Sequence, residues 1–424
     1  MDTKLVCNNV LYQGKFTPLE VGITGGKISG VGRSLGSATR TIDLEDKLLL
    51  PGIIDGHVHF RDPGNPEKED FRSGSEAAAR GGITTVVDMP NNKPPIKTPE
   101  LFRDKREMAK KKSLVNFALY AGIPKNLSLI ADIVNEGAIG LKLYMAQEEV
   151  DLRGLYAKIR DHNTLLTVHA EAPEYINPEG ERLTSPTEYV NSRPPIAEIE
   201  GVKRLLADNG VRLHIAHATL AETVKTVEGA ATTEVTPHHL LLSKDEVDLG
   251  DFTAVMNPPL RTTSEREGLA SLLPGEVDLI ASDHAPHLKR QKRTSDPAVG
   301  SPGLPGVETI LPLSLTYADR AGIPLPRVID KLTINPARLF GFSNRGEIEA
   351  GNWADLTVVN PDVQSRVTGQ DFFSKAKITP FEGWEVSYRP ELTIVNGEVV
   401  YRDGELTGTS GGVFLSGDGE NSGQ

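Results

Sequence analysis

The chain has 424 residues, 38% of them hydrophobic and 25% charged, with 46 basic against 58 acidic side chains and a formal net charge of −12. This length exceeds what one core usually holds, so a large domain with a smaller companion is expected, and the acidic balance argues against a nucleic-acid surface. Cys7 is the only cysteine, which excludes an internal disulfide or a thiolate zinc cluster and leaves imidazole and oxygen as the ligands for any metal.

Residues 1 to about 50 are Gly-rich and alternate apolar with polar side chains (LVCNNVLYQGKF, VGITGGKISGVG), the pattern of hairpin strands. The GITGGKIS stretch is not a phosphate loop: Val21 stands where the first glycine belongs and Ile28 where Ser or Thr belongs.

Between 52 and 284 one pattern recurs: a short β-rich run, a loop, then a stretch of helical period. The runs are GIIDGHVH (52–59), GITTVVDM (82–89), NFALYAGI (116–123), IGLKLYM (139–145), LLTVHAE (165–171), RLHIAHA (212–218), TTEVTPHH (232–239) and DLIASDH (278–284). Intervening segments such as 100–112, 152–162, 200–210, 220–229 and 266–273 read as amphipathic helices. The basic cluster KREMAKKK (105–112) reads as a solvated helix face. Eight strands alternating with helices, with polar residues closing most strands, predict an α/β fold of the (β/α)8 TIM-barrel type, whose strand ends converge on one mouth.

After the barrel, 285–303 (APHLKRQKRTSDPAVGSPG) is long, polar and Gly/Pro-punctuated, and reads equally as a cover for substrate or as a surface excursion. Residues 346–404 return to alternation with Asn-Gly and Asp-Gly turns. The expected organisation is a small β-sandwich-like domain composed of 1–50 and 346–405, a (β/α)8 barrel at 51–345, and a disordered Gly/Ser-rich tail at 406–424. No apolar run approaches the roughly 18 residues of a membrane-spanning helix, and the N-terminus lacks a signal pattern. A cytoplasmic location without a membrane partner is expected, with a symmetric homodimer as the default assembly.

His57 and His59 share one face of a strand because successive side chains alternate. Lys142 closes the fourth strand, His169 the fifth, His217 the sixth and Asp283 the eighth. Four imidazoles and a carboxylate at one mouth suffice for two divalent ions, most simply Zn2+. An ammonium would be repelled by two dications, whereas a lysine carboxylated by CO2 becomes a bridging anion; the alternative is a Lys142 turned outward or kept as a substrate cation. His214, three residues before His217, faces away and reads as structural. Two bridged metals lower the pKa of a water between them, and Asp283 can carry its proton to a departing nitrogen. Arg61, two residues past His59, offers a planar fork to a carboxylate, or else pairs with Asp62 or Asp70. An anionic small-molecule substrate is expected.

DGHVHFRDPG (55–64), MPNNKPP (89–95), GLKLYM (140–145), VHAE (168–171), HIAHAT (214–219), TPHHL (236–240), NPPLR (257–261), SDHAPH (282–287) and PGLPGVET (302–309) together resemble the amidohydrolase superfamily and, within it, the dihydroorotase family. The resemblance implies a binuclear metal centre held by His57, His59, Lys142, His169, His217 and Asp283, with Asp283 also the general acid/base. It further implies that His59, Arg61, Asn91 and His287 hold the carboxylate and ring of dihydroorotate or N-carbamoyl-aspartate, and that Asn257, Pro302 and Gly303 complete the pocket. GLKLYM resembles the branch in which a carboxylated lysine, rather than an aspartate, bridges the metals. The implied reaction is reversible cyclisation of N-carbamoyl-L-aspartate in pyrimidine synthesis; no associated pathway enzyme is singled out. Two other readings remain: another cyclic-amide hydrolase (hydantoinase, dihydropyrimidinase or allantoinase), or a barrel that has lost catalysis and serves as a scaffold.

Overall fold

Strands buried on both faces read as near-continuous runs of Val, Ile, Leu and Thr, and eight such runs form the parallel barrel. They are β1 (Ile53–Val58), β2 (Ile83–Asp88), β3 (Asn116–Gly122), β4 (Gly140–Tyr144), β5 (Leu165–His169), β6 (Arg212–Ile215), β7 (Thr232–Val235) and β8 (Leu279–Ile280), hydrogen-bonded in chain order. The computed structural model describes residues 1–177, 179–207, 210–408 and 411–417. Closure between β1 and the chain after β8 uses a parallel bridge from Val58 to His284 and the His59 N–H donated to the His284 carbonyl at 2.8 Å. The buried Asp55 carboxylate strengthens that seam by accepting the Ser282 and His57 N–H groups at 3.0 and 3.2 Å.

Alternation then sorts the side chains. Val58, Phe60, Leu141, Leu143, Leu166 and Val168 belong to the apolar layer between barrel and helices. Their neighbours in sequence, His57, His59, Lys142, Thr167 and His169, therefore point into the barrel.

The five helices expected from periodicity form as Pro99–Lys112, Leu152–Arg160, Pro195–Leu206, Ala221–Val227 and Thr263–Ala270. Phe71–Arg80 was not anticipated, because its buried face is made of Gly74, Ser75 and alanines beside the single large apolar Phe71; a capping box between Asp70 and Ser73 starts it. No helix among the described residues is long and apolar enough to cross a membrane.

Both chain ends contribute to one nine-stranded sheet. Thr3–Tyr12, Lys15–Thr24, Lys27–Gly32, Arg40–Asp43 and Leu48–Pro51 come from the N-terminal side, and Leu356–Asn360, Arg389–Val395, Glu398–Arg402 and Glu405–Leu406 from the C-terminal side. The two halves join where Leu48–Pro51 runs antiparallel to Leu356–Asn360, over a core that includes Leu5, Val10, Val21, Leu49, Leu356 and Ile394.

Part of the expected disordered tail is ordered. Phe117 donates its N–H to the Val413 carbonyl at 3.0 Å, Leu415 donates to the Phe117 carbonyl at 2.8 Å, and Phe414 packs its ring 5.6 Å from that of Phe117. One aromatic side chain in a Gly/Ser-rich segment finds a buried partner, which composition averages away. Residues 409–410 and 418–424 lie outside the described residues.

Nor is the basic cluster wholly solvated. Lys105 is 1% exposed, lies 2.5 Å from Asp88, and donates to the Met89 carbonyl and the Asn92 side chain, each at 2.8 Å. Asp88 also accepts the Phe60 N–H at 2.6 Å, so one buried ion pair pins both the His59–Arg61 turn and the Met89–Asn92 loop. Lys105→Met leaves that carboxylate buried without its cation and is expected to cost about 3–5 kcal/mol in urea unfolding at pH 8. The unpaired Asp88 takes up a proton as pH falls, so the loss shrinks at pH 5; equal losses at both pH values would contradict this account.

Candidate active site

The strand ends place four imidazoles in file. Ring centroids of His59 and His57 are 5.2 Å apart, those of His57 and His217 5.3 Å, and those of His217 and His169 4.6 Å. Asp283 brings its Oδ1 to 3.1 Å from His59 Nε2 and 3.4 Å from His57 Nε2. Ligating atoms of His57, His59 and Asp283 all lie within 4.8 Å of one another, close enough to hold one metal ion.

Tautomers decide whether the group suits a cation. His57 gives its Nδ1 proton to Glu234 at 2.5 Å, and His59 gives its own to the Asn91 side-chain oxygen at 2.7 Å. With Nδ1 turned outward, both rings present Nε2 to the same carboxylate oxygen. Two imidazole nitrogens and a carboxylate converging on one point are a donor set that suits a cation. The second half follows the same logic: His169 Nε2 is held by Glu171 at 2.5 Å, which leaves Nδ1 bare and 3.1 Å from His217 Nε2. His217 Nδ1 is buried without a hydrogen-bond partner among the described residues. Arg193 in turn pairs with Glu171.

Lys142 is fully buried, and its Nζ likewise lacks a hydrogen-bond partner among the described residues. Burial pushes its pKa down to about 8, against the pull of Glu234 and Asp283. Strand alternation turns it inward, and its Nζ stands 5.3 Å from the centre of the Tyr144 ring. Burial alone would raise the Asp283 pKa, but His57 and His59 outweigh it and hold the carboxyl well below the usual range, ionised at neutral pH. Burial lowers the His59 pKa to about 4, which keeps that ring neutral.

Three residues of the site are backbone-strained. Arg61, His217 and Asp283 adopt φ of 42°, 39° and 45°, a region side chains other than glycine rarely enter and which costs about 1–3 kcal/mol each. Each sits where the chain leaves a strand and must turn its side chain back over the mouth.

Beside the file lies a cluster of donors. His287 is 8% exposed, with Arg61 Nη2 3.2 Å from its Nε2 and Lys68 Nζ 3.2 Å from its Nδ1. Burial, then Arg61 and Lys68, drive the His287 pKa well below its ordinary value. A neutral imidazole has a single acceptor nitrogen, so it cannot satisfy both cations at once. The acids that could have taken Arg61 are engaged elsewhere: Asp62 lies 2.5 Å from Lys112, and Asp70 pairs with Lys375 at 2.7 Å while capping its helix.

The other expected pocket residues are placed less directly. Asn91 contacts His59. Asn257 donates to the Tyr189 hydroxyl at 3.0 Å, while its own side-chain oxygen is buried without a partner among the described residues. Gly303 has φ of 123°, and a Cβ there would stand 2.8 Å from Ala285, so only glycine lets Pro302 and Gly303 pass this close to His287. His214 hydrogen-bonds Thr232 at 2.8 Å and Glu234 at 3.2 Å, both nitrogens engaged away from the file.

Sequence reasoning missed Glu234, Glu171, Arg193 and Lys68. An acid inside the TTEV strand was a legible signal, since a strand buried on both faces carries a carboxylate only when a partner meets it. Lys68 offered none, because its contact with His287 spans 219 residues. Glu234→Gln removes the charge that orients His57 and is expected to weaken metal binding about 10–100-fold in a chelator competition. An unchanged affinity would remove Glu234 from the site.

A family model described as "Amidohydrolase family" matches residues 48–400. Among curated relatives, a protein named dihydroorotase from Methanothermobacter thermautotrophicus is 36% identical over 92% of this chain and 92% of its own length. Dihydroorotases from Halobacterium salinarum and Pyrococcus abyssi are each 36% identical, over 95% and 97% of this chain and 97% and 98% of theirs. Among solved structures, the L-hydantoinase (dihydropyrimidinase) from Arthrobacter aurescens superposes with a TM-score of 0.92 at 29% identity, covering 98% of this chain and 99% of that one. The dihydropyrimidinase from Brevibacillus agri gives 0.90 at 26% identity, covering 98% of each.

Proposed function

The chain belongs to the amidohydrolase family, and from that membership we infer that it catalyses the reversible cyclisation of N-carbamoyl-L-aspartate to (S)-dihydroorotate, a step of pyrimidine biosynthesis. The observation that supports the choice of substrate is the cluster of Arg61, Lys68 and His287, in which two cations converge on one imidazole. A carboxylate supplies acceptors for both. Dihydroorotate and carbamoyl-aspartate have one beside the reacting amide; hydantoin and dihydrouracil do not.

His57, His59, His169, His217 and Asp283, with Lys142 as its carbamate, form the donor set for two divalent ions, and the all-nitrogen-and-oxygen chemistry suits Zn2+. When bound, such a pair polarises the amide carbonyl and makes water acidic. The remaining work falls to side chains. Arg61, Lys68 and His287 anchor the substrate carboxylate, with Asn91 beside them fixing the His59 ring, and Asn257, Pro302 and Gly303 wall the ring. In ring opening, ionised Asp283 takes a proton from the attacking water and passes it to the ring nitrogen as the C–N bond breaks. In ring closure, Asp283 takes that proton from the ureido nitrogen as it attacks the side-chain carboxyl carbon, and water leaves.

The hydantoinase reading stays in view because the solved relatives carry that name. Steady-state rates of the metal-loaded protein on dihydroorotate, hydantoin, dihydrouracil and allantoin separate the two. A site whose buried donors need a carboxylate should prefer dihydroorotate by about 10⁴-fold in kcat/KM. Faster turnover of any uncharged ring would overturn the assignment, and a protein that binds metal yet turns over none of the four would favour the scaffold.

A further inference from the structure

We propose that Lys292 is a positioning residue for the substrate pocket, a single buried ammonium that ties together the three chain segments carrying Asn257, His287 and Pro302–Gly303. The proposal rests on those residues forming the pocket wall, as assigned above.

Lys292 ends a four-residue helix, Lys289–Lys292, inside the long polar segment that follows His287. It is 1% exposed, whereas Lys289, Arg290 and Arg293 around it are exposed. A lysine is driven inside only when its hydrogen bonds are met there. Here Nζ donates to the Val255 carbonyl and to the Ser301 carbonyl, each at 3.0 Å. Val255 lies two residues before Asn257, Ser301 immediately precedes Pro302, and Lys292 itself follows His287 by five residues. Backbone bonds extend the knot: Gly303 N–H also reaches the Val255 carbonyl at 2.9 Å, and Ser301 N–H reaches the Gln291 carbonyl at 3.0 Å.

Among the described residues a single parallel bridge, His284 to Leu304, is the β-pairing that aligns these segments. Carbonyl dipoles aimed at one point repel, and an ammonium between them turns that repulsion into two charge-assisted bonds. Asp251, the acid that acts on Lys292, already accepts from Arg293 at 3.1 Å and from the Thr253 N–H at 2.7 Å. Neutral carbonyls thus hold the Lys292 charge, and burial lowers its pKa to about 7. On this view the 285–303 segment is a fixed wall of the pocket rather than a lid.

Lys292→Met keeps the stem and removes the donors. Two readouts on the full-length, metal-loaded protein test the proposal: steady-state kinetics with dihydroorotate, and limited trypsin digestion, which reports the segment through cleavage after Lys289, Arg290 or Arg293. The variant is expected to show KM raised by about tenfold or more with kcat within about threefold, metal content unchanged, and cleavage accelerated by about tenfold or more. If Lys292→Met does not accumulate as folded protein, Lys292→Gln, which keeps N–H donors without the charge, carries the same readouts and is expected to show smaller shifts in the same direction. Unchanged KM, or raised KM with an equally resistant segment, would overturn the proposal. Wild-type protein that ignores dihydroorotate but shows the protease difference would refute the substrate assignment while sparing the knot.

Discussion

Asp283→Asn is expected to lower kcat for dihydroorotate hydrolysis and for carbamoyl-aspartate cyclisation alike, by about 10²–10⁴-fold. The asparagine oxygen can still face His57 and His59, whose Nε2 atoms lie 3.4 and 3.1 Å from the present carboxylate, so metal content should fall far less than activity. What disappears is the proton carrier. In the proposed role Asp283 accepts a proton because its neighbours outweigh its burial and keep it ionised, whereas an amide cannot carry that proton. Parallel measurement of turnover and bound metal decides the matter: near-normal rates would remove Asp283 from the proton path, and a loss of metal as large as the loss of rate would make it a ligand alone.

Lys142→Met should be at least as damaging, with turnover lower by about 10³-fold or more and one metal equivalent lost. A bridging anion that holds two cations together contributes several kcal/mol, and each 1.36 kcal/mol is a factor of ten. The same residue allows a test without catalysis. Carboxylation needs the neutral amine, whose nitrogen attacks CO2 and sheds a proton to solvent. With its pKa lowered to about 8 by burial, Lys142 is about half neutral at that pH, where an ordinary lysine is neutral at well under roughly one part in a hundred. In metal-free protein at fixed dissolved 13CO2, a carbamate carbon signal should grow as pH rises through about 8, and Lys142→Met should lack it. A signal of equal size in the variant would place the carbamate elsewhere.

The barrel was legible because its strands are buried on both faces and therefore spell themselves as apolar runs between helical periods. The inward direction of the residues proposed as ligands was legible because alternation forces His57 and His59, and likewise Lys142 and His169, to the inner face once Val58, Leu141, Leu143 and Val168 take the outer one. Phe71–Arg80 escaped because its buried stripe of Phe71, Gly74, Ser75 and Ala78 is built mostly from small residues, which read as loop or surface in the sequence. Lys105 and Phe414 were misread for a related reason. Each sits in a stretch whose average is polar, and its burial depends on one partner outside that stretch, Asp88 or Phe117.

Local order in the chain determined which side chains the mouth could receive, since the two-residue repeat of a strand is a property of the backbone itself. Only the tertiary structure decided how those side chains are held. Glu234 orients His57 across 177 residues, Lys68 meets His287 across 219, and Lys292 joins the Ser301 carbonyl of its own segment to the Val255 carbonyl of another loop. Such contacts fix tautomers, charge and loop position, and they arise from barrel closure, which brings the end of β1 against the chain after β8 and leaves no periodic trace in the sequence.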